Sequence, residues 1–317
     1  MAEIKTILAD VDPTASEHLA IERAHQIAMV SGASVHLLLS VYQESLTDGA
    51  LMNNESIEQT RQEYMARLGD WLDERSRVLR DNGIDATSEV VWRSPRYESL
   101  LSKAAELRAD LIIRAAKKHS RIDRLLFGVT DWELVRRAPQ PLWVVKTSLD
   151  PAKGGVAVLV AVDPAHPGEH KAGLDRKLLT TADAIVKLFG GALHVFHAYN
   201  PGAAIAPVAA AGHHAALPML ATGGELMAEL RKLRSKQLHK LAEPFGVPAD
   251  NVHLVEADTE TALLEIVEEQ DIDIVVAGAV SRGRLERLLI GSTAERILDA
   301  VHCDVVVVKP DGLHRFN

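Results

Sequence analysis

One sequence pattern occurs twice in this chain, and the two copies align without a gap at a separation of 163 residues. The first copy, residues 109–130, reads ADLIIRAAKKHSRIDRLLFGVT, and the second, residues 272–293, reads IDIVVAGAVSRGRLERLLIGST. Repeated segments fold into repeated structural units. Any fold proposed for one half of the chain must therefore also suit the other half.

Each half reads as alternating strands and helices. The halves open with apolar runs at residues 7–9 and 156–162, which lead into Asp-Pro pairs beginning with Asp12 and Asp163. Continuous apolar runs are typical of strands that are buried on both faces of a parallel sheet. Further strands are predicted at residues 34–42, 88–92, 110–113 and 141–146 in the first half and at 192–199, 251–256, 273–276 and 304–309 in the second.

Helices separate these strands. The first helix of the first half is expected to end at Gly32, and its counterpart at Gly190 and Gly191, because glycine commonly follows helix C-termini. The alternation predicts an α/β chain with two tandem, doubly wound, five-stranded parallel-sheet domains. The helix after each second strand has an apolar stripe, with Ile57, Tyr64, Leu68, Trp71 and Leu72 in the first half and Leu226, Leu230, Leu233, Leu238 and Leu241 in the second.

The domain boundaries follow from the repeat. The first domain is predicted at residues 1–146 and the second at 156–317, joined by a linker at 147–155 that contains Pro151 and two glycines. The second domain is longer, mainly through an insertion at 201–220. We expect the fifth strands, Leu142–Val145 and Val305–Val308, to pair and form an internal pseudo-dimer. Whether two chains also form a homodimer stays open.

Charge and cysteine content restrict the partners and the location. The net charge of -9 opposes non-specific binding to nucleic acid, which depends on Lys and Arg. The one cysteine, Cys303, excludes an intrachain disulfide, so we expect a reducing cytoplasm and a buried core position for this thiol. The N-terminal segment lacks the apolar core of a signal peptide, and no apolar run is long enough to span a bilayer.

A glycine-containing frame in the second half suits an anion. Gly278 ends the fourth strand, at the edge where open parallel sheets bind ligands. Gly291 and Ser292 precede a helix, whose N–H groups and dipole favour phosphate. Asp163, at the end of the first strand, is placed to accept from a ribose hydroxyl or a base. In a purely structural interpretation, Gly278 makes a turn, and Ser292 and Asp163 are caps. Two further donors are close in sequence: Arg282 and Thr293.

The spacing Gly-x2-Gly-x9-Gly-Ser/Thr, followed by the last helix and strand of an α/β unit, resembles the universal stress protein family. The matching segments are VAVD at 160–163, GAVSRGRLERLLIGSTAERIL at 278–298 and CDVVVVKP at 303–310. The resemblance covers essentially the whole chain twice. It is closest to tandem, UspE-type members with two family domains, partly through TDW at 130–132 and PLWVVK at 141–146.

The resemblance implies ATP or AMP binding in the second domain only. Asp163 would then contact the adenosine, and Gly278, Gly291 and Ser292 would contact the ribose and phosphates. The chain departs from the family frame at Ser281, where the family has glycine. The Cβ and hydroxyl of this serine are expected to crowd the phosphates, unless the nearby Gly283 restores the space.

The first domain keeps less of the frame. Asp12, Gly128 and Thr130 remain, whereas Ala115 replaces the first glycine and Lys118 the second. We expect the Lys118 side chain to occupy the pocket, so that this degenerate site does not bind nucleotide in the family manner. The basic residues of this loop either hold an anion themselves or form a solvated face: Lys117, Lys118 and Arg121.

The histidines of the second half do not predict a metal site. His194 and His197 face opposite sides of a strand, and the adjacent His213 and His214 are poor joint ligands for one ion. The surrounding insertion at 201–220 is nearly uncharged. It either covers an apolar ligand or packs as a surface loop on its own domain.

No motif of a known catalytic site is present: there is no Gly-x-Ser-x-Gly elbow, His-Glu-x-x-His pair or Walker lysine frame. We therefore predict a stress-response protein that binds a nucleotide or another phosphate-bearing small molecule and acts through protein partners. One alternative is a degenerate member that carries an apolar or amphipathic ligand under residues 201–220 or serves as a scaffold. A second is a slow ATP hydrolase, in which Ser292 and Asp163 position phosphate and a cation.

Overall fold

The computed structural model describes residues 4–46, 54–118, 125–150, 154–164, 169–200, 223–279 and 297–310. Its described residues divide into two compact units. The first contains the chain up to Leu149 together with His302–Val307, and the second contains the remainder. In the part of the chain that is described, no helix is both long and apolar enough to cross a membrane.

The first half of the chain supplies the helices and most strands of the first unit. Its α1 begins at Leu19 and ends at Ser31, and Gly32 follows in the left-handed conformation with φ 71°, which confirms the predicted C-terminus. The elements are β1 (Thr6–Asp10), α1 (Leu19–Ser31), β2 (Ser34–Val41), α2 (Asn54–Asp81), β3 (Ala86–Trp92), α3 (Arg96–Glu106), β4 (Leu111–Ala115), β5 (Lys117–Lys118), β6 (Leu125–Leu126), α4 (Val129–Arg137) and β7 (Leu142–Val145).

Within the described residues, the second half repeats the order from β1 to β4 with the helices between them and then the last strand, as predicted. Its elements are β8 (Val156–Ala161), α5 (Glu169–Phe189), β9 (Gly191–Ala198), α6 (Gly223–Ala242), β10 (Val252–Val255), α7 (Thr259–Glu269), β11 (Ile274–Gly278) and β12 (Asp304–Val308).

Parallel strands form the sheet of each unit, which confirms the predicted α/β class. The first unit has the order β12-β7-β4-β1-β2-β3, in which β7 to β3 are parallel. The second unit has the parallel order β10-β9-β8-β11. The fifth strands of the two repeats pair antiparallel, with Val305 opposite Val144 and Val307 opposite Leu142, so this predicted pairing is also confirmed.

A buried carboxylate explains why β12 belongs to the first unit. Asp304 is fully buried and forms an ion pair with Arg23 of α1, which is only 2% exposed. The same carboxylate accepts hydrogen bonds from Trp143 Nε1 at 2.7 Å and from the backbone N–H of Lys146 at 2.9 Å. Buried charges are stable only when they are paired and hydrogen-bonded, so these contacts fix the start of β12 against β7.

The predicted third strands begin 163 residues apart, at 88 and 251, but the structure does not keep that spacing there. Leu37 and Val195 occupy equivalent positions, because they pair with Ala9 and Val160. Leu37 then pairs with Ser88, whereas Val195 pairs with Val252, one residue further along. Helices α3 and α7 begin at the original spacing again, so the connection before α7 is one residue shorter.

Helix α6 is rotated relative to the predicted apolar stripe. Leu238 and Ala242 are buried, and Arg234 lies one turn earlier on the same line of the helix. Leu233 is 53% exposed, so its assignment to the stripe was wrong. Neighbouring positions on a helix differ by about 100°, and placing Leu238 against the sheet therefore turns Leu233 outward and Arg234 inward.

Candidate functional site

Three charged side chains form a buried ion cluster at the carboxyl edge of the first unit's sheet. Asp10 ends β1 and pairs in register with Arg114 on β4, and the two are 3% and 4% exposed. The Arg114 guanidinium forms ion pairs with Asp10 and with the fully buried Asp131 of α4. Asp131 also accepts from the backbone N–H of Gly128 at 2.6 Å. The cluster therefore connects both central strands to the start of α4.

Two further cations extend this cluster to the surface. Arg96, at the start of α3, donates through Nε to Asp10 at 2.8 Å. Lys117 Nζ lies 2.8 Å from Asp12, which also accepts from the Thr14 backbone N–H at 3.0 Å. Partial burial alone would raise the pKa of Asp12, but the hydrogen bonds from Lys117 and Thr14 hold that pKa well below its ordinary value.

These side chains leave little space at the edge of the first unit. The depression there has a cavity volume of about 20 Å³, whereas ligand pockets usually measure roughly 300–1,000 Å³. The remaining space suits about one water molecule. Its charged lining balances three carboxylates against three cations: Asp10, Asp12, Glu17, Arg96, Arg114 and Lys117.

The structure places the predicted degenerate site at this same edge. Asp12 and Ala115 line the depression, Gly128 is the N-cap of α4, and Thr130 lies in its first turn. Lys118 pairs through its backbone with Leu125, but its side chain lies outside the described residues, so its entry into the pocket stays a prediction.

The sequence interpretation missed the main occupants of the site, which are Asp10, Arg96, Arg114 and Asp131. One signal was available. Asp10 and Arg114 each interrupt or end an apolar run that was predicted to be buried. A charge in such a strand needs a partner nearby.

The equivalent strand ends of the second unit carry small side chains. Val160 pairs with Val276 just as Ala9 pairs with Ile113, so the next positions, Ala161 and Ala277, correspond to Asp10 and Arg114. Thr259, the first residue of α7, corresponds to Arg96. In sequence, Ala294 stands where the first half has Asp131. The positions of Asp10, Arg96, Arg114 and Asp131 thus carry uncharged residues in the second half.

Two of the predicted binding residues of the second domain lie at this edge. Asp163 is exposed, and its backbone N–H donates to Asp175 Oδ1 at 3.2 Å. Gly278 ends β11 without a positive φ. A Cβ added there would lie 2.9 Å from Leu174 Cδ2, so glycine permits close packing of α5. The other predicted residues lie outside the described residues: Ser281, Arg282, Gly283, Gly291, Ser292 and Thr293.

The two histidines of β9 lie on opposite faces of the sheet and have separate partners. His194 Nδ1 is 3.0 Å from His253 Nε2, and the rings are stacked. His197 Nδ1 is 3.0 Å from the Val162 carbonyl oxygen. Within the described ranges, no group of three or more His, Cys, Asp or Glu residues is arranged to hold a metal ion. The predicted pair at 213 and 214, and the insertion around it, lie outside those ranges.

Comparisons with known proteins agree with the repeated fold. The model of the universal stress protein family matches residues 3–146 and 157–309. Universal stress protein E of Escherichia coli strain K12 is 27% identical over 319 residues, which cover 98% of this chain and 96% of that protein. The protein of the same name from Photorhabdus laumondii is 25% identical over 312 residues, covering 98% of this chain and 97% of that one.

A solved structure shows the same fold over nearly the whole chain. It is a putative universal stress protein from Pseudomonas aeruginosa UCBPP-PA14, with a TM-score of 0.74 and 23% sequence identity, and the match covers 97% of this chain and 94% of that one. Two matches to the family model, one in each half, and curated relatives that span the full length leave one assignment. The chain belongs to the universal stress protein family, as a tandem member with two family domains.

Proposed function

We propose that the second domain binds a phosphate-bearing small molecule of the nucleotide class, and that the first domain does not. In the first domain, the protein's own charged side chains take the place of the ligand. The output of binding is a change in affinity for protein partners in a stress response, as family membership suggests.

The difference between the two strand edges carries this proposal. Asp10 and Arg114 fill the edge of the first unit, whereas Ala161 and Ala277 stand at the same positions in the second. Two long or charged side chains are thus exchanged for two methyl groups. Space and hydrogen-bonding capacity at a sheet edge of this kind favour a ligand.

Electrostatics add a second reason for the asymmetry. In the first unit, Arg114 is already paired with two buried carboxylates, Asp10 and Asp131. A phosphate group would have to displace these carboxylates or lie beside them. Breaking a buried ion pair typically costs about 3–5 kcal/mol, which opposes phosphate binding there.

Equilibrium dialysis with ATP and AMP tests the proposal. The intact chain is expected to bind one equivalent of nucleotide. Replacing Asp163 by alanine should weaken that binding by about tenfold, the loss of one good hydrogen bond. The matched change Asp12→Ala, at the equivalent position of the first domain, should leave it unchanged. No binding at millimolar nucleotide, or the same loss in both variants, would overturn the proposal.

A further inference from the structure

Unpartnered polar atoms concentrate beneath α6 in the second domain. Among the described residues, the buried side-chain atoms without a hydrogen-bond partner include His197 Nε2, Tyr199 Oη, Arg234 Nε and Gln237 Oε1. His197 and Tyr199 are two residues apart and point to the same side at the end of β9. Arg234 and Gln237 are neighbours on α6, which packs against β9 and β10. Buried polar groups normally have partners, so this cluster requires an explanation.

The hydrogen bond of His197 assigns a role to each ring nitrogen. Its Nδ1 is 3.0 Å from the Val162 carbonyl oxygen, so Nδ1 carries the proton and donates. Burial lowers the pKa of His197, although the bond to Val162 and the charge of Asp163 oppose that effect. The neutral ring therefore presents Nε2 as a hydrogen-bond acceptor. The side chain is only 6% exposed, so bulk water does not supply the missing donor.

The neighbouring side chains complete a mixed set of donors and acceptors. The Tyr199 ring is nearly parallel to that of His197, with centroids 6.4 Å apart, and its backbone N–H donates to the Val255 carbonyl at 3.0 Å. Its hydroxyl group can donate or accept. Arg234, on the sheet-facing line of α6, offers its Nε–H as a donor. The set suits a neutral group that both donates and accepts.

The cluster lies beside the end of β8, where the proposed ligand site begins. Val162, the partner of His197, directly precedes Asp163. At the equivalent positions of β2, the first domain has Leu39, which is fully buried, and Val41. The two polar side chains from the end of β9 are therefore particular to the second domain, as is the uncharged strand edge.

We propose that His197, Tyr199 and Arg234 form a subsite that recognises a neutral hydrogen-bonding group of the ligand, one that offers both a donor and an acceptor. Sugar hydroxyls and the amino edge of a base share this chemistry. The assignment rests on the proposed function, since it concerns the end of the ligand remote from phosphate. It makes these three side chains the determinants of ligand specificity.

Isothermal titration with AMP, ribose 5-phosphate and pyrophosphate tests the subsite. The double change His197→Leu, Tyr199→Val installs the residues of the first domain. It should weaken AMP binding by about tenfold or more and leave pyrophosphate binding unchanged. A parallel loss for ribose 5-phosphate identifies sugar hydroxyls as the recognised group, whereas a loss for AMP alone identifies the base.

A second variant guards against a folding defect. Arg234 is half-buried, and Arg234→Met removes its hydrogen-bond donor. The matched control is Lys236→Met, on the exposed side of the same helix. The first should weaken AMP binding and the second should not, with both proteins keeping the wild-type circular dichroism spectrum. The subsite proposal is overturned if the variants bind AMP as tightly as the wild type does. It is also overturned if their affinity for pyrophosphate falls as much as their affinity for AMP. Wild-type protein that binds none of the three probes overturns the proposed function itself.

Discussion

Asp10 and Arg114 are register partners on adjacent strands, and their side chains form a buried ion pair at the carboxyl edge of the first unit's sheet. Asp131 of α4 forms a second ion pair with Arg114. The same fold in the second half has Ala161 and Ala277 at those two positions. This edge of the sheet therefore carries charged side chains in the first domain and methyl groups in the second.

The ion cluster predicts a strongly non-additive set of stabilities. Arg114→Ala leaves the buried Asp131 without its cation and leaves Asp10 with Arg96 alone, so it should lower the free energy of unfolding by about 3–5 kcal/mol. Replacing Asp10, Arg114 and Asp131 together by alanine should cost less than the sum of the three single changes, because the three side chains that pair with one another are removed together. Urea unfolding followed by tryptophan fluorescence measures this, since all four tryptophans lie in the first half. Additive losses would contradict the cluster.

Two glycines in different surroundings, Gly278 at the end of β11 and Gly173 within α5, predict opposite effects on stability. A Cβ at position 278 would lie 2.9 Å from Leu174 Cδ2 and 3.3 Å from Leu178 Cδ1, so Gly278→Ala should cost about 1–2 kcal/mol through overpacking. Gly173 lies within α5, and a Cβ added there would have no atom of another part of the structure within 4 Å. Gly173→Ala should stabilise the helix by up to about 1 kcal/mol. Thermal unfolding compares the two, and equal melting temperatures would refute the packing role of Gly278.

The burial of Lys309 leads us to expect that the free energy of unfolding depends on pH. It is 5% exposed, and its Nζ has no hydrogen-bond partner among the described residues. Burial lowers its pKa from the ordinary 10.5 to about 7. Between those values the unfolded chain binds more protons than the folded one. The contribution of this residue to stability therefore rises as the pH is raised from about 7 towards 10, by at most about 1.4 kcal/mol per pH unit.

Urea unfolding at several pH values checks this prediction. Lys309→Met should raise the stability near pH 7 and flatten its dependence on pH above that value. Lys236→Met, at an exposed position, should leave the slope as it is in the wild type. An unchanged slope in the Lys309 variant would show that the amine is charged in the folded protein.

Ser281→Gly restores the family frame and should raise the affinity of the second domain for ATP by about tenfold, a modest steric gain. The reason comes from the sequence, because glycine removes a Cβ and a hydroxyl from the path expected for the phosphates. Lys118→Gly is the matched change in the first domain. It should create no second binding site, since the Asp10–Arg114 pair still fills that edge. Equal ATP affinity of the wild type and the Ser281 variant would remove Ser281 from the phosphate path.

Local sequence signals were sufficient for much of the fold. Buried parallel strands appear as apolar runs, and α1 ends where Gly32 permits a positive φ. The pairing of the two fifth strands was also predicted, and the structure places Val305 opposite Val144. The apolar stripe of α6 could not be predicted in this way. Leu233 and Arg234 are adjacent in sequence, and a rotation of the helix by about 100° exchanges which of them faces the sheet. Only the fit of the helix against β9 and β10 decided that the arginine turns inward.

By itself, the sequence determined the repeated α/β architecture, the family and the asymmetry of the glycine frame, because these depend on residue type and spacing along the chain. The tertiary structure alone decided which side chains occupy each edge. Asp10 and Arg114 are remote in sequence and meet only because β1 and β4 are neighbours in the sheet. His197 and Arg234 likewise come within electrostatic range of each other only when α6 packs on β9. Pairing of charges and burial of polar groups depend on distance in space, which a linear pattern does not contain.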